Sequence, residues 1–427
     1  MKTRYLLSLL VLILLLGACA PLTPAPTQAP AAEVPTAVAP PAREAVTLSY
    51  AIWDAGQLPA HEKIIANFEA GHPNIHVEPQ VIPWPEYWNK LQTAIAGGQA
   101  YDVFWMNGPN FPVYASKGAL IDLQPLVDRD SLDLSVYPPS LVELYSYNGH
   151  VYGLPKDFDT IALFYNKDMF DAAGVKYPDE TWTWDDLKAA AKALTTKDTW
   201  GIGVPVDAQC VWFNFVYQNG GKVVAPDGSK VLLDEPATCE AIKFLYSFIE
   251  EGLSPDAATM LASDTETQLF PGGKVAMYTC GSWLASYYHE AEPNIDVAPL
   301  PKGKQRASII HGLANVIWSG TKHLEEAWEF VKFLGGPEAA RILAETGTVI
   351  PAYQGYQETW VNAIPDMNLK VFMDALEYAV PYPSVAQGME WSDKVNEVLS
   401  DAWLGSIPID EACKLAAEAG NAALQKR

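Results

Sequence analysis

The stretch Leu154–Gly174, LPKDFDTIALFYNKDMFDAAG, decides how the chain is organised. Pro155 ends whatever element precedes it, and the apolar run Ile161–Tyr165 has the length of a strand. Lys167–Ala173 has helical character that stops at Gly174. Because sequence of α/β character lies on both sides, we expect this stretch to cross between two lobes. An ordinary strand-to-helix corner inside one domain is the alternative.

Three residues of this stretch, Asp157, Phe158 and Asp159, are candidates for ligand binding, because a junction between lobes is a usual place for a cleft. The two carboxylates could be mistaken for an acid/base pair. A glycosidase, however, needs carboxylates that flank the ligand at a set separation and have divergent pKa values, and nothing in the sequence supplies that. We expect one of them, Asp159 rather than Asp157, to accept hydrogen bonds from ligand hydroxyls; a hinge-capping role is the alternative.

The N-terminus has the features of an export signal. Two basic residues precede an apolar run, Tyr5–Leu16, that is too short to span a bilayer, and the run ends in the lipobox sequence LGAC at 16–19. This predicts a signal peptide over residues 1–18 and a diacylglycerol group on Cys19; a plain signal peptide with a chance cysteine is the alternative. Residues 19–45, rich in Pro and Ala, predict an extended tether. The expected location is the outer face of the cytoplasmic membrane.

Composition excludes several classes of function. The formal net charge of -23 argues against nucleic acid and anionic lipid surfaces as partners. Walker A and GxSxG motifs are missing, so ATP hydrolysis and acyl hydrolysis lack their sites. The cysteines form no CxxC, and His72 and His76 have no third ligand nearby, so neither a metal nor a cofactor is expected. The 14 Trp and 20 Tyr exceed what the cores need, which suits an aromatic binding site.

Alternating strands and helices predict an α/β fold with a mostly parallel sheet in each lobe, flanked by helices. The first unit is predicted to comprise strand Thr47–Trp53, helix Pro59–Ala70, strand Ile75–Val81, helix Glu86–Ala96 and strand Tyr101–Met106. Ligands bind at the carboxyl ends of such strands. Those ends carry Trp53, Asp54, Asn107 and Asn110.

The rest of the chain continues the pattern. Two strands are predicted, Trp200–Pro205 and Lys274–Thr279. The predicted helices are Trp184–Leu194 with Thr183 as N-cap, Cys239–Glu250, Asp264–Leu269, Leu324–Leu334, Glu338–Glu345, Lys370–Leu376, Trp391–Leu404 and Asp410–Leu424.

Five motifs, from Val46 to the C-terminus, resemble those of bacterial extracellular solute-binding proteins, the family that serves carbohydrate ABC importers, in the same order. Tyr101 departs from the family's proline, and Cys-Gly-Ser-Trp at 280–283 departs from its Gly-Pro-Trp. The second departure puts an inherited ligand preference in doubt. The motifs are ANFEAGHPNIHVE, LQTAIAGGQAYDVFWMN, YNKDMFDAAGVKYPDETWTWDDLKAAAKALT, FPGGKVAMYTCGSW and EEAWEFVKFLGGPEAARILAETGTVIPA.

The resemblance implies a periplasmic-binding-protein-like fold of two discontinuous lobes joined by three crossings. The crossings are expected near Asp157–Ile161, Ile309–Gly312 and Glu377–Tyr382. The N-terminal lobe would comprise 46–157 and 311–377, and the C-terminal lobe 160–308 and 380–427.

The resemblance also implies a set of cleft residues. Trp53, Trp212, Trp283 and Trp391 match cleft-lining positions, where an indole can lie on the apolar face of a sugar ring; core packing is the alternative for each, and stacking is favoured for Trp283 and Trp391. Polar groups and a close-approach glycine at the later crossings complete the set: His311, Gly312 and Tyr382. Four tryptophans inside apolar periodic runs are assigned to the core: Trp105, Trp318, Trp328 and Trp403.

The four cysteines beyond Cys19 allow three disulfide pairings, and four reduced thiols are the remaining alternative. By the resemblance, the segments that carry them belong to the second lobe. This implies the pairs Cys210–Cys280 and Cys239–Cys413.

These observations favour a lipid-anchored, monomeric receptor that captures a sugar or oligosaccharide and delivers it to the permease of an ABC importer. An enzyme acting on the same sugar is the opposing class, and the missing catalytic pair argues against it. A binding protein for a peptide, polyamine or osmolyte is a third possibility, since aromatic faces also attract cations.

Overall fold

The computed structural model describes residues 44–291, 294–385 and 387–425. The predicted signal peptide, Cys19 and nearly all of the tether lie outside these residues. Within the described ranges, no helix combines the length and the apolar character that crossing a membrane requires.

Eleven strands are found in the described residues. They are β1 Val46–Ile52, β2 Ile75–Val81, β3 Val103–Asn107, β4 Ser146–Tyr147, β5 His150–Val151, β6 Gly153–Asn166, β7 Met277–Gly281, β8 Ile295–Ala298, β9 Ser308–Ile317, β10 Ile350–Pro351 and β11 Ala379–Pro381.

The helices lie between these strands, except for the last two, which follow β11. The α-helices are α1 Leu58–Gly71, α2 Trp84–Ala96, α3 Phe111–Ser116, α4 Gln124–Asp130, α5 Pro139–Leu144, α6 Lys167–Ala173, α7 Trp184–Leu194, α8 Phe213–Gln218, α9 Pro236–Glu250, α10 Ala257–Ala262, α11 Ala285–Ala291, α12 Leu324–Leu334, α13 Pro337–Glu345, α14 Gln357–Val361, α15 Lys370–Asp374, α16 Glu390–Trp403 and α17 Ile409–Leu424. Two π-helical turns, Ala208–Trp212 and Thr265–Leu269, and four 3-10 turns, Ala55–Gln57, Leu134–Val136, Ser282–Leu284 and Ala375–Tyr378, complete the set.

The N-terminal βαβαβ unit is confirmed. β1 pairs in parallel with β2 on one side and with β3 on the other, with Ile52 opposite Val81 and Ala51 opposite Phe104. The main sheet has the order β10-β6-β9-β3-β1-β2. It is mixed rather than wholly parallel, because β9 runs antiparallel to β3 and β6.

The sheet of this first lobe is covered on both faces, as its alternating buried residues require. Tyr50 and Trp105 point into a core with α1 and α12, whereas Ala51 and Phe104 point into a second core with α2 and α3. A third and larger core contains α7, α9, α16 and α17.

β6 passes without a break from one half of the molecule to the other. Gly153–Thr160 pairs with β9, and Ile161–Asn166 pairs with β7 and β8. β11 runs parallel to the start of β9. The three segments expected to cross between lobes thus lie side by side as β6, β9 and β11; the exact lobe boundaries remain predictions.

Two elements differ from expectation. The predicted strand Trp200–Pro205 makes only isolated bridges, Trp200 to Val275 and Gly203 to Tyr278. A reason is that Gly201 packs directly on the backbone of α7, where a Cβ would lie 2.0 Å from the carbonyl oxygen of Ala191. The predicted helix Asp264–Leu269 is a π-helical turn capped by Asp264.

Both expected disulfides are present. Cys210 is joined to Cys280, and Cys239 to Cys413, with Cα–Cα distances of 4.3 and 5.7 Å. The first bond links a π-helical turn to the end of β7, and the second links α9 to α17.

Candidate functional site

The register of the sheet brings the candidate residues of the first lobe to one edge. β3 ends at Asn107 opposite Leu313, and Leu313 also lies opposite Asp157 on β6. Trp53 and Asp54 follow the end of the neighbouring β1. The carboxyl ends of the parallel strands therefore meet the crossing strands at this edge.

Asp157 is held by the protein itself. Its Oδ2 accepts a hydrogen bond from Lys156 Nζ at 2.6 Å, and its Oδ1 accepts one from the backbone N–H of Leu313 at 3.0 Å. Burial raises the pKa of Asp157, although the Lys156 ammonium opposes that shift. Lys156 also donates to Gln57 Oε1 at 2.8 Å, and Gln57 Nε2 donates to Asp54 Oδ2 at 2.8 Å. Asp157 and its partners thus form a chain of contacts that fixes the crossing strand.

Asp159 is less fully engaged. Gln209 Nε2 donates to its Oδ1 at 2.9 Å, while His311 Nδ1 lies 3.8 Å from its Oδ2, too far for a hydrogen bond. Burial lowers the pKa of His311 to about 3, and burial together with the Asp157 charge raises the pKa of Asp159. The imidazole is therefore neutral, and the pair is not an ion pair at neutral pH. This arrangement leaves Asp159 the better placed of the two aspartates for a ligand.

The later crossings bring further groups to the same place. The His311 ring lies 5.5 Å from the Tyr382 ring, edge to face, and Tyr382 in turn contacts Phe213 at 5.1 Å. A side chain at Gly312 would approach the carbonyl oxygen of Asp157 to 2.8 Å. Gly312 is thus required for the close contact of β6 and β9.

Trp283 lies two residues after the end of β7. It is half-buried, and it packs against the large core and against the α1/α12 core of the first lobe. A Cβ on Gly281 would lie 1.7 Å from the Trp283 ring, so the glycine lets the indole fold back over the end of β7. Its neighbour Ser282 is buried, and its hydroxyl has no hydrogen-bond partner among the described residues.

Several carboxylates lie near the Cys210–Cys280 disulfide. Burial, with the charges of Asp207, Asp264 and Asp54, raises the pKa of Glu266 to about 8. Glu266 Oε2 lies 3.6 Å from Cys280 Sγ. The Cys210 and Cys280 sulfurs near it are bonded to each other, so they offer no thiolate to a metal ion.

Two predicted cleft tryptophans are buried. Trp212 is 1% exposed, and its Nε1 donates to Asn396 Oδ1 at 3.1 Å; its place in a binding cleft stays a prediction. Trp391 is equally buried and lies parallel to Phe213 at 6.3 Å. Its Nε1 has no partner among the described residues, and its role in stacking stays a prediction.

The edge of the first lobe carries an aromatic group around Trp53. Trp53 is half-buried, and its ring contacts those of Trp84, Tyr87, Trp88 and Trp105 at centroid distances of 5.0 to 6.0 Å.

Beside this group, Asn107 Oδ1 accepts from the backbone and the side chain of Asn110 at 3.1 and 3.0 Å. Asn107 is nearly buried and Asn110 half-buried, so both expected polar residues lie at this edge, bonded to each other.

Sequence reasoning missed Lys156, Gln209, Glu266 and Trp84. Lys156 had a usable signal, because a lysine between a proline and an aspartate at a crossing strand is expected to pair with a carboxylate. Trp84 is the third residue after β2, whereas Trp53 directly follows β1, so the strand-end argument applied to β2 leads only to the same short segment. Gln209 and Glu266 depend on turns that no local pattern predicts.

Comparisons with known proteins identify the family of the chain. Residues 54–341 match the sequence profile of the bacterial extracellular solute-binding protein family. An ABC substrate-binding protein from Listeria monocytogenes, solved in complex with cycloalternan, is similar with a TM-score of 0.85 and 29% identity, covering 90% of this chain and 100% of that one.

Two further proteins are similar. A solute-binding protein of an ABC transporter from Thermotoga lettingae, solved with α-D-tagatose, has a TM-score of 0.81 and 27% identity over 88% of this chain and 99% of that one. A maltooligosaccharide ABC transporter solute-binding lipoprotein of Streptococcus pneumoniae is 28% identical over 60% of this chain and 62% of its own length. With the two-lobed fold and the profile match over most of its length, the chain belongs to the bacterial extracellular solute-binding proteins.

Proposed function

We propose that the protein is a lipid-anchored receptor that captures a sugar or oligosaccharide between its lobes and delivers it to an ABC importer. The observation that carries this proposal is the hydrogen bond from Gln209 to Asp159 on the crossing strand β6, with Trp283 two residues beyond Gly281, which lies opposite Ile161 of the same strand. A carboxyl group and an amide can bond ligand hydroxyls, and an indole can cover the apolar face of a sugar ring.

The similar proteins support the carbohydrate class. Their ligands are cycloalternan and α-D-tagatose, and the pneumococcal lipoprotein is named for maltooligosaccharides. A peptide, polyamine or osmolyte remains the alternative class of ligand, because the side chains near Glu266 are acidic and aromatic.

Binding without catalysis is favoured over an enzyme. The family consists of binding proteins. Asp157 has both oxygens engaged by Lys156 and Leu313, so it is poorly placed to serve as the partner of Asp159 in acid/base chemistry. Release of product from an incubated oligosaccharide would contradict the proposal.

The membrane anchor is part of the proposal. Cys19 would carry the lipid, and residues 19–45 would let the folded part stand away from the outer face of the cytoplasmic membrane. Metabolic labelling with a fatty-acid analogue tests this. We expect label on the wild type and none on Cys19→Ala, which should be released into the medium.

The ligand class is tested by thermal shift across mono- and oligosaccharides, followed by calorimetry. A ligand at a hundred times its Kd adds about 2.7 kcal/mol to the free energy of unfolding, which is readily detected. Asp159→Ala should abolish the shift, whereas the exposed Asp198→Ala should keep it. Shifts produced only by polyamines or peptides would overturn the carbohydrate assignment.

A further inference from the structure

A lysine ammonium is buried at the first crossing between the lobes. The side chain of Lys156 is 1% exposed, and its Nζ donates to Asp157 Oδ2 and lies 4.2 Å from the centre of the Trp105 ring. Consecutive residues of a regular strand point to opposite faces, so Lys156 and Asp157 would not meet in one. Relative to β9, however, β6 carries one extra residue between Pro155 and Asp157, and that residue is Lys156. This β-bulge re-aims the lysine toward the first lobe.

The same ammonium fixes the orientation of the Gln57 amide. Gln57 is 4% exposed; its Oε1 accepts from Lys156 Nζ and its Nε2 donates to Asp54 Oδ2, both at 2.8 Å. An amide turned the other way would point its N–H groups at the ammonium and its oxygen at the carboxylate. Gln57 therefore has one stable orientation, set by a cation on one side and an anion on the other.

Asp54 is the end of this chain of contacts that lies at the candidate site. It is half-buried, and its other oxygen, Oδ1, accepts the backbone N–H of Gly56 at 2.8 Å. Each carboxylate oxygen has two lone pairs, so both can still accept a hydrogen bond from a ligand. Burial and nearby charges, that of Asp54 among them, raise the pKa of Glu266 to about 8. The Asp54 carboxylate is thus within electrostatic reach of the other half of the molecule.

We propose that Gln57 is a positioning residue of the sugar site: anchored by Lys156, it holds the Asp54 carboxylate in the orientation in which Asp54 accepts hydrogen bonds from ligand hydroxyls. The inference rests on the proposed function. A carboxylate that two donors already hold does not have to be ordered by the ligand, so less entropy is lost on binding. Gln57 and Lys156 thereby contribute to affinity without touching the sugar.

A purely structural role for Gln57 predicts a different response to substitution. A buried ammonium requires acceptors, and a carboxylate at position 57 would accept from Lys156 as well as the amide does. That carboxylate could not donate to Asp54 and would repel it. Gln57→Glu therefore separates the support of Lys156 from the positioning of Asp54.

The test measures Kd by calorimetry, with maltotriose, arabinotriose and α-D-tagatose as probes. For the probe that binds wild type most tightly, Gln57→Glu should raise Kd about tenfold and should melt within a few degrees of wild type. Gln57→Asn, whose amide is too short to reach both partners, should also raise Kd. In the Asp54→Asn background Gln57→Glu should cause no further loss, because its effect passes through Asp54.

Gln124→Glu is the matched control. Gln124 Nε2 donates to Asp128 Oδ1 at 2.8 Å on α4, so this variant places the same repulsion between a carboxylate pair away from the site. It should leave Kd unchanged.

The outcomes separate the inference from the proposed function. Wild-type Kd in both Gln57 variants, or additive losses from Gln57→Glu and Asp54→Asn, would overturn the positioning role and leave the sugar receptor intact. Lower melting with an unchanged Kd would mean that Gln57 only supports Lys156. If Gln57→Glu does not fold, Gln57→Asn decides by the same criteria. Binding of none of the probes by wild type would count against the proposed function and the inference together.

Discussion

The two disulfides constrain different kinds of region. Cys239–Cys413 ties α9 to α17 within a helical layer, and Lys243 of α9 pairs with Asp410 of α17 beside it. Cys210–Cys280 lies beneath the candidate site: it joins the turn that holds Gln209 to the strand that leads to Trp283.

The two bonds reduce the conformational entropy of the unfolded chain by similar amounts. Their cysteines are 174 and 70 residues apart, for which chain entropy gives about 5 and about 4 kcal/mol. The difference between them therefore lies in the folded state. Two disulfides that stabilise the folded state by similar amounts can therefore have different roles. One contributes to stability alone, and the other also supports residues of the candidate site.

The largest effect is expected on removal of the helical bond. Cys239→Ala with Cys413→Ala should lower the free energy of unfolding by about 5 kcal/mol and leave the Kd for the sugar unchanged, because neither cysteine adjoins the site. Urea denaturation and calorimetry measure the two quantities. A larger Kd would show that the helical bond also affects the site, so that the two regions do not differ as proposed.

Removal of the site bond should change both quantities. Cys210→Ala with Cys280→Ala should cost about 4 kcal/mol in unfolding and should also weaken ligand binding about tenfold, because Gln209 and Trp283 lose their common support. The helical double variant is its matched control. Unchanged affinity in the site variant would mean that this bond too is only structural.

Two tryptophans test the same difference between the core and the candidate site. Trp403 is buried and donates to the carbonyl oxygen of Val204 at 2.9 Å, so Trp403→Ala should cost about 3 kcal/mol of stability. Trp283→Ala should instead cost about 2 kcal/mol of binding and little stability, because the ring is half-buried. If Trp283→Ala unfolds the protein, Trp283 is a core residue and the candidate site is misplaced.

The last expected effect depends on pH and concerns Glu266 beside the site bond. Its pKa is raised to about 8 from an ordinary 4.5, so the folded state binds the proton more tightly than the unfolded state. The stabilisation from this group is complete below the ordinary pKa and is lost as pH rises through 8. Glu266→Gln, which cannot ionise, should melt like wild type at about pH 5 and a few degrees higher at about pH 9.

The exposed Glu143→Gln is the control and should track wild type at both pH values. Identical melting of wild type and Glu266→Gln across this range would show that the Glu266 carboxylate is solvated and carries no stored electrostatic cost.

Local signals explain which elements were predictable. β2 has the predicted bounds because its residues alternate, and α7 begins where predicted because Thr183 and Asp186 form a capping box. α6 ends at Gly174, which has the left-handed conformation that glycine favours. In each case the information lies within a few residues of the element.

Long-range pairing explains what the sequence did not predict. β6 is longer than the apolar run Ile161–Tyr165, because its first half, with Lys156 and Asp157, is stabilised by β9 and by distant polar partners. The Asp159 prediction relied on strand position, whereas its contact with Gln209 depends on a π-helical turn. The hydrogen bond of Trp212 to Asn396, 184 residues further along the chain, depends in the same way on packing that no local pattern shows.

The pairing of β3 with β9 sets the order in which the molecule can fold. Trp105 opposes Asn315, far along the chain, so the β2-β1-β3 unit has an open edge until residues 308–317 have been made. Contacts of such long sequence separation form slowly, because a large loop must close first. An apolar strand with an open edge also invites association between chains. A partly folded chain therefore carries an aggregation-prone half-sheet, and productive folding depends on keeping that segment apart from other chains until β9 has paired with β3.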